Sequence, residues 1–175
     1  MAKSTPAFQD LTGSAERFDP HRAEHEIHRA VNQVRTAHGL ESLSYQDDIA
    51  NVARQHSHDM AAQGYVGHQS PGGANIKDRL DKHTAPRGSS RTQYTACGEN
   101  IARSHYDSRV ALDDGTVIKF QSLWEFGHGV VHGWMQSSGH RSNILRDSWT
   151  AEGIGIVKHA QSEVLVTQVF IGSHR

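Results

Sequence analysis

The sequence predicts an α+β domain in which helices pack on a largely antiparallel sheet. Helical periodicity fills the first half of the chain and returns over 123–136. Two apolar, strand-like runs at 153–157 and 164–171 close the chain, with a polar turn between them. No segment repeats, so a solenoid or array is excluded. Helices first and a paired sheet last are the order of an α+β fold. At 175 residues the chain suits one domain with room for a core.

Residues 1–17 are polar with few apolar anchors and read as a tail or linker, followed by one domain over 18–175. Asp19-Pro20 starts the first helix, with Asp19 as N-cap and Pro20 in the first helical position. Ile27, Val31 and Val34 form its apolar stripe, and Gly39 stops it. A second helix runs from about Asp47 to Gln63, with Ile49, Val52, Ala53, His56 and Met60 on one face and Gly64 at its end. Residues 65–73 form a loop by their glycine and proline content. A short third helix fits Ile76 to His83, with Ile76 and Leu80 inward, and 84–98 reads as loop. Ile101 sits in a short strand. Val110 to Ile118 reads as a hairpin turning at Asp114-Gly115. Leu123 to Gln136 is a glycine-interrupted helix facing inward through Val130, Val131 and Trp134. His140 to Arg146 is a short helical turn.

Composition removes several function classes. Lys plus Arg number 18 against 19 Asp plus Glu, so no basic excess exists to neutralise nucleic-acid phosphates. The single cysteine, Cys97, excludes an intramolecular disulfide and a cysteine-rich zinc site. Apolar runs are only a few residues long, too short for a membrane span. The N-terminal stretch lacks the charged-then-apolar pattern of a secretory leader, so the chain reads as cytosolic or as the mature part of a longer precursor.

The unusual count is histidine, at 14 residues, with a pI of about 6.9 that lies near the imidazole range. His21, His25 and His28 have metal-chelating helical spacing, yet position 25 lies about 200° around the helix from Ile27, which reads as a solvated face. His56 sits on an apolar face as a hydrogen-bonded core histidine, and His58 is exposed. His128 and His132 are four apart, as in helical zinc pairs, but Gly129 stands where a metalloprotease carries its glutamate, so a structural role is the better reading. A scattered set is more specific. His68 lies in the Gly67-His68-Gln69-Ser70-Pro71 loop, Glu99 in Gly98-Glu99-Asn100, and His140 in Ser138-Gly139-His140-Arg141. Gly98 and Gly139 are read as permitting tight backbone geometry beside these groups. Two imidazoles and a carboxylate form a ligand set that zinc accepts.

In this order the motifs resemble the CAP superfamily: cysteine-rich secretory, antigen 5 and pathogenesis-related 1 proteins, and in particular its short prokaryotic SCP-like extracellular members. The resemblance covers about 24–171. It rests on Val31-Asn32-Gln33-Val34-Arg35, His56-Ser57-His58-Asp59-Met60, the His68 and Glu99 segments, Asp78-Arg79-Leu80, Gly133-Trp134 through Arg141, Asn143-Ile144-Leu145, Gly153-Ile154-Gly155 and Thr167-Gln168-Val169-Phe170. It implies a three-layer α-β-α sandwich with a central, mostly antiparallel sheet. It also implies a cleft lined by two histidines and two glutamates. His68, Glu99 and His140 fill three of these positions, and Ser137 stands where eukaryotic members carry the second glutamate. The capacity of the two histidines to bind zinc or another divalent cation carries over to His68 and His140. The resemblance further implies an extracellular or surface location. Cys97 stands where bridged members place a cysteine.

Segment 103–121 is longer than in short prokaryotic members. It reads either as a hairpin insertion at the cleft rim that sets specificity or as a surface loop. Three functions fit. One is a non-catalytic domain whose His/Glu cleft, with Asn100 and Ser137 beside it, holds a divalent ion and recognises a lipid, glycan or protein partner. The second is a metal-assisted hydrolase with Glu99 as general base; a serine version would need Ser137 or Ser138. The third is a lipid or sterol carrier, which 35% hydrophobic residues and polar loops support poorly.

Overall fold

The computed structural model describes residues 14–83, 94–111, 115–160 and 162–172. Its helices are α1 (Pro20–Ala37), α2 (Asp47–Gln63), α3 (Ile76–His83), α4 (Leu123–Gln136) and α5 (Ser138–Ile144). Its strands are β1 (Ser44–Tyr45), β2 (Ala96–His105), β3 (Val110–Ala111), β4 (Val117–Ile118), β5 (Ala151–His159) and β6 (Glu163–Gly172). The main sheet has the order β1-β5-β6-β2; β1 runs parallel to β5, and β5-β6 and β6-β2 are antiparallel. β3 and β4 pair as a separate two-stranded ribbon.

Strand alternation builds the three layers. Leu165, Thr167, Val169 and Ile171 of β6 face α2 and α3, where Ile49, Val52, Ala53 and Leu80 cover Ala151, Val169 and Ile171. The intervening residues Val164, Val166 and Phe170 face α1 and α4, in a larger cluster with Ile27, Val31, Phe126, Val131, Ile154 and Ile156. A strand covered on both faces reads as a continuous apolar run. β5 meets α2 through glycine: a Cβ at Gly153 would lie 2.1 Å from the amide nitrogen of Ala50, and one at Gly155 2.0 Å from that of Arg54.

Local signals place the helix ends. Asp19 accepts from the Arg22 amide at 3.2 Å and Pro20 opens α1. Gly64, with φ of 68°, ends α2. Ser122 and Glu125 form a reciprocal capping box on α4. Several sequence expectations need correction. β2 begins at Ala96, inside the 84–98 segment that the sequence reads as loop, and β1 lies between the first two helices, where the sequence predicts no element. The Asp113-Asp114 part of the hairpin turn, residues 1–13 and residues 84–93 lie outside the described residues. Residues 14–17 run along the 121–123 segment: the Glu16 amide donates to the Gln121 carbonyl at 2.6 Å, and the Glu16 carboxylate accepts from the Leu123 amide at 3.1 Å.

His28 departs from the solvated reading of its helix face. Its Nδ1 donates to Glu152 Oε1 at 2.6 Å, and Glu152 is fully buried. Position 28 lies about 100° from Ile27, at the border of the apolar stripe, where β5 covers it. His25 remains exposed and packs at a tilt against Tyr45, 4.7 Å between ring centroids.

Candidate functional site

The site lies at β2, the edge strand of the sheet, and two consecutive residues of that strand serve its two halves. Glu99 faces the α2/α3 layer and Asn100 faces the α4/α5 layer, as neighbours on a strand must. Glu99 Oε1 accepts from His68 Nδ1 at 2.9 Å, and its Oε2 accepts from Arg79 Nη2 at 2.6 Å. Arg79 comes from α3, packs beside Leu80 and donates to the carbonyls of His68 (3.2 Å) and Ala74 (3.1 Å). The same guanidinium therefore fixes the His68 side chain through Glu99 and the His68 backbone directly. From α2, buried His56 holds the loop too: its Nε2 donates to the Gly67 carbonyl at 2.9 Å.

On the other side, Asn100 Nδ2 donates to the His140 carbonyl at 3.2 Å and to Gln168 Oε1 at 3.1 Å. Asn143 Nδ2 donates to the Glu99 carbonyl (3.0 Å) and to Asn100 Oδ1 (2.9 Å). Gln168 in turn donates to buried Glu152 at 2.6 Å, which links the cleft to His28. Arg35, fully buried, donates through Nη1 to the carbonyls of Ile144 (2.7 Å) and Arg146 (2.9 Å) and so closes the C-terminal end of α5. Gly98 is needed because a Cβ would stand 2.8 Å from the Trp149 indole; Gly139 meets nothing within 4 Å and is not required on that ground.

These contacts leave two imidazoles for a ligand. His68 is 61% exposed, and among the described residues only its Nδ1 has a hydrogen-bond partner. The His140 ring makes no side-chain hydrogen bond to the described residues. The Glu99 hydrogen bond raises the His68 pKa above the ordinary imidazole range. Burial, followed by the nearby charge of His68, lowers that of His140. The donor set limits a metal. Both Glu99 oxygens are engaged, and among the described residues no group of three or more His, Cys, Asp or Glu is positioned to hold an ion. A divalent ion held by these two imidazoles would need water or ligand atoms to complete its shell, which makes an open site and not a closed structural zinc centre. Ser137 stands between α4 and α5 but makes no side-chain capping hydrogen bond. Half-buried Cys97 packs against the α2-side core, and burial pushes its thiol pKa up.

Arg79, Asn143, Gln168 and Arg35 received no role from sequence reasoning. Each nevertheless stands in a motif that carries the resemblance: Arg35 in Val31-Asn32-Gln33-Val34-Arg35, Arg79 in Asp78-Arg79-Leu80, Asn143 in Asn143-Ile144-Leu145 and Gln168 in Thr167-Gln168-Val169-Phe170.

A pH effect on stability follows from His56. Burial holds its pKa below the ordinary imidazole value, so the unfolded chain takes up that proton first. Stability is therefore expected to fall as pH drops below about 6.5, until the lower folded value is reached. His68 runs the other way: its raised value contributes stability below about 6.5, lost as pH rises through the folded value, but its exposure screens that contribution. The thermal midpoint should drop between pH 7.5 and pH 5 in the wild type and drop less in His56→Gln, whose amide can keep the Gly67 bond. Equal drops would refute the assignment.

The model of the cysteine-rich secretory protein (CAP) family matches residues 28–170. Two Bacillus subtilis proteins are each 30% identical: the uncharacterized membrane protein YlbC, over 77% of this chain and 31% of its own length, and the uncharacterized protein YkwD, over 85% and 47%. This chain thus spans less than half the length of either relative. The crystal structure of an extracellular protein containing an SCP domain, from Bacillus anthracis, superposes with a TM-score of 0.65 at 27% identity, covering 88% of this chain and 41% of that one. No helix among the described residues is long and apolar enough to cross a membrane.

Proposed function

The chain belongs to the CAP family of cysteine-rich secretory proteins, and on that premise we propose that it is a non-catalytic, extracellular ligand-recognition domain whose cleft engages its ligand through His68 and His140, with a divalent cation between them. One observation carries this reading: a buried Arg79–Glu99 ion pair orients His68 by its Nδ1, and among the described residues its Nε2 has no partner and the ring of His140, close enough to feel the His68 charge, makes no side-chain hydrogen bond. A carboxylate that fixes the tautomer of a ligating histidine in this way raises its basicity toward a metal. Glu99 is better suited to this positioning role than to general-base catalysis, because Arg79 and His68 already occupy its two oxygens. The location is inferred from the extracellular protein that the chain resembles.

Calorimetric titration with zinc at pH 7.5 tests the reading. Binding with single-site stoichiometry is expected in the wild type, with at least a tenfold loss in His68→Ala and in His140→Ala. Affinity should also fall from pH 7.5 to pH 5 as protons compete for the imidazoles. The raised pKa of His68 means that this loss begins above the pH expected of a free imidazole. Unchanged binding in both variants would overturn the assignment.

A further inference from the structure

Next to the cleft, a cavity of about 490 Å³ opens between β2, α4 and the 103–121 segment. That is within the range of small-molecule sites, roughly 300–1,000 Å³. The cavity corrects the expectation that too few apolar side chains are available to line one: Ala102, Ile118, Phe120, Val130 and Trp134 form its mostly apolar walls. The insertion builds one of these walls and is anchored at its base. The Asp107 amide donates to the Phe120 carbonyl at 3.3 Å, and the Tyr106 hydroxyl donates to the carbonyls of Glu16 (2.8 Å) and Gln121 (3.2 Å).

Helix α4 supplies a wall of unusual shape. The Phe120 ring lies so close to Gly129 that a Cβ there would stand 2.3 Å from its Cζ. One helical turn on, Gly133 also lines the cavity, and a Cβ there would meet nothing within 4 Å. The helix therefore presents two glycine faces in a row, one covered by an aromatic ring and one open. The polar side chains that line it are serines with His132 and His140, and among the described residues no carboxylate lines it; Arg103 and His105 border it as part of β2, where their side chains, like that of Glu99, face the α2 layer. Arg103 donates through Nε to Glu163 and is itself 62% exposed.

We infer that this cavity binds a compact aromatic carboxylate, its ring on the open face of Gly133 beside Phe120 and its anionic group at the imidazoles and serine hydroxyls of the rim. A flat apolar ring fits the bare helix surface, and a rim of imidazoles and hydroxyls with no carboxylate in the lining offers donors to an anion and no counter-charge to a cation. The site shares His140 with the cleft but needs no metal, so it stands apart from the zinc reading.

The test uses 2-naphthoate, with 2-naphthylmethylammonium and 2-naphthalenemethanol as matched cationic and neutral probes, titrated calorimetrically into the whole chain in the presence of a chelator. Saturable one-to-one binding of the carboxylate is expected, at least tenfold tighter than the cation. Gly133→Leu should fill the space and lower naphthoate affinity at least tenfold while keeping zinc binding. His68→Ala should lose zinc and keep naphthoate. Gly133→Ala, with a smaller side chain at the same open position, should show a thermal midpoint at or above that of the wild type and so check the fold. Wild-type naphthoate affinity in Gly133→Leu would refute the location. Equal affinity for cation and anion would refute the ligand class. The absence of saturable binding by any probe up to millimolar concentration would refute the inference as a whole.

Discussion

Gly155→Ala is expected to lower unfolding free energy by at least about 3 kcal/mol, and Gly153→Ala by a similar amount, read as shifts of the denaturant midpoint. The reason is backbone contact. A Cβ on Gly155 would lie 2.0 Å from the Arg54 amide nitrogen and 2.2 Å from the Ala53 carbonyl carbon, so no side-chain rotation relieves it. The two glycines lie two residues apart on one face of β5, a rise of about 6.8 Å. The residues they meet, Ala50 and Arg54, lie four apart on α2, a rise of about 6 Å. The helix thus rests along the strand at both points. Relief would require α2 to lift from the sheet, opening its contacts with Val169 and Ile171 and pulling on Ser57, whose hydroxyl donates to the Gly155 carbonyl at 2.8 Å. Against a total stability of about 5–15 kcal/mol, such a loss leaves little reserve. Gly133→Ala is the contrasting control: it meets nothing within 4 Å and removes a glycine from a helix interior, so it should be neutral or stabilising by up to about 1 kcal/mol. If Gly155→Ala proved as mild as Gly133→Ala, the α2–β5 contact would be wrong.

The same glycines mark where sequence reading stopped. Gly153-Ile154-Gly155 was legible as a motif, but nothing local says that a helix backbone lies on it. Helix boundaries were legible because their causes are local: Asp19-Pro20, Gly64, and the Ser122–Glu125 capping box each act within one turn. β6 was legible because burial on both faces leaves a nearly unbroken apolar run. The first half of β2 was not. Ala96-Cys97-Gly98 are small residues with no alternation to read, and they become a strand by pairing with Phe170, Ile171 and Gly172, more than seventy positions away. β1 is two residues long and exists only through its parallel pairing with β5.

At the site, His68, Glu99 and His140 draw a role from their motifs, whereas the groups that hold them do not, although Arg79, Asn143 and Gln168 stand in motifs of the same resemblance. Asn100 was placed beside the cleft, but it is fully buried and acts by holding the His140 carbonyl. Glu152 and His28 look like ordinary polar residues in sequence, and the motifs that hold Asn143 and Gln168 do not say what these two bond to. They acquire meaning only when the sheet brings helix and strand faces together to satisfy one another's hydrogen bonds. His28 shows the difficulty best, since a position at the edge of an apolar stripe is solvated or buried according to what packs against it.

Arg79→Met and Glu99→Gln are each expected to cost about 3–5 kcal/mol in denaturant unfolding, because each strands the partner's charge in a buried place. The side chains are 8% and 2% exposed, and their N–O distance is 2.6 Å. The double variant Arg79→Met/Glu99→Gln should lose markedly less than the sum of the singles, since neither charge is then left alone. Stability by itself would not separate a cleft-positioning pair from a merely structural one, but the titration of His68, followed by NMR, does. The bond to Glu99 is the main cause of its raised pKa, and the Arg79 charge opposes that rise. Glu99→Gln should therefore lower the His68 pKa, and Arg79→Met should raise it further. Zinc affinity should fall in both: in Glu99→Gln because the ring loses its orienting carboxylate, and in Arg79→Met because protons compete more strongly for the imidazole and the His68 backbone is released. Shifts of His68 in the same direction in the two variants would mean that the ion pair supports the fold without tuning the imidazole, and the link from α3 through Glu99 to the cleft would be lost.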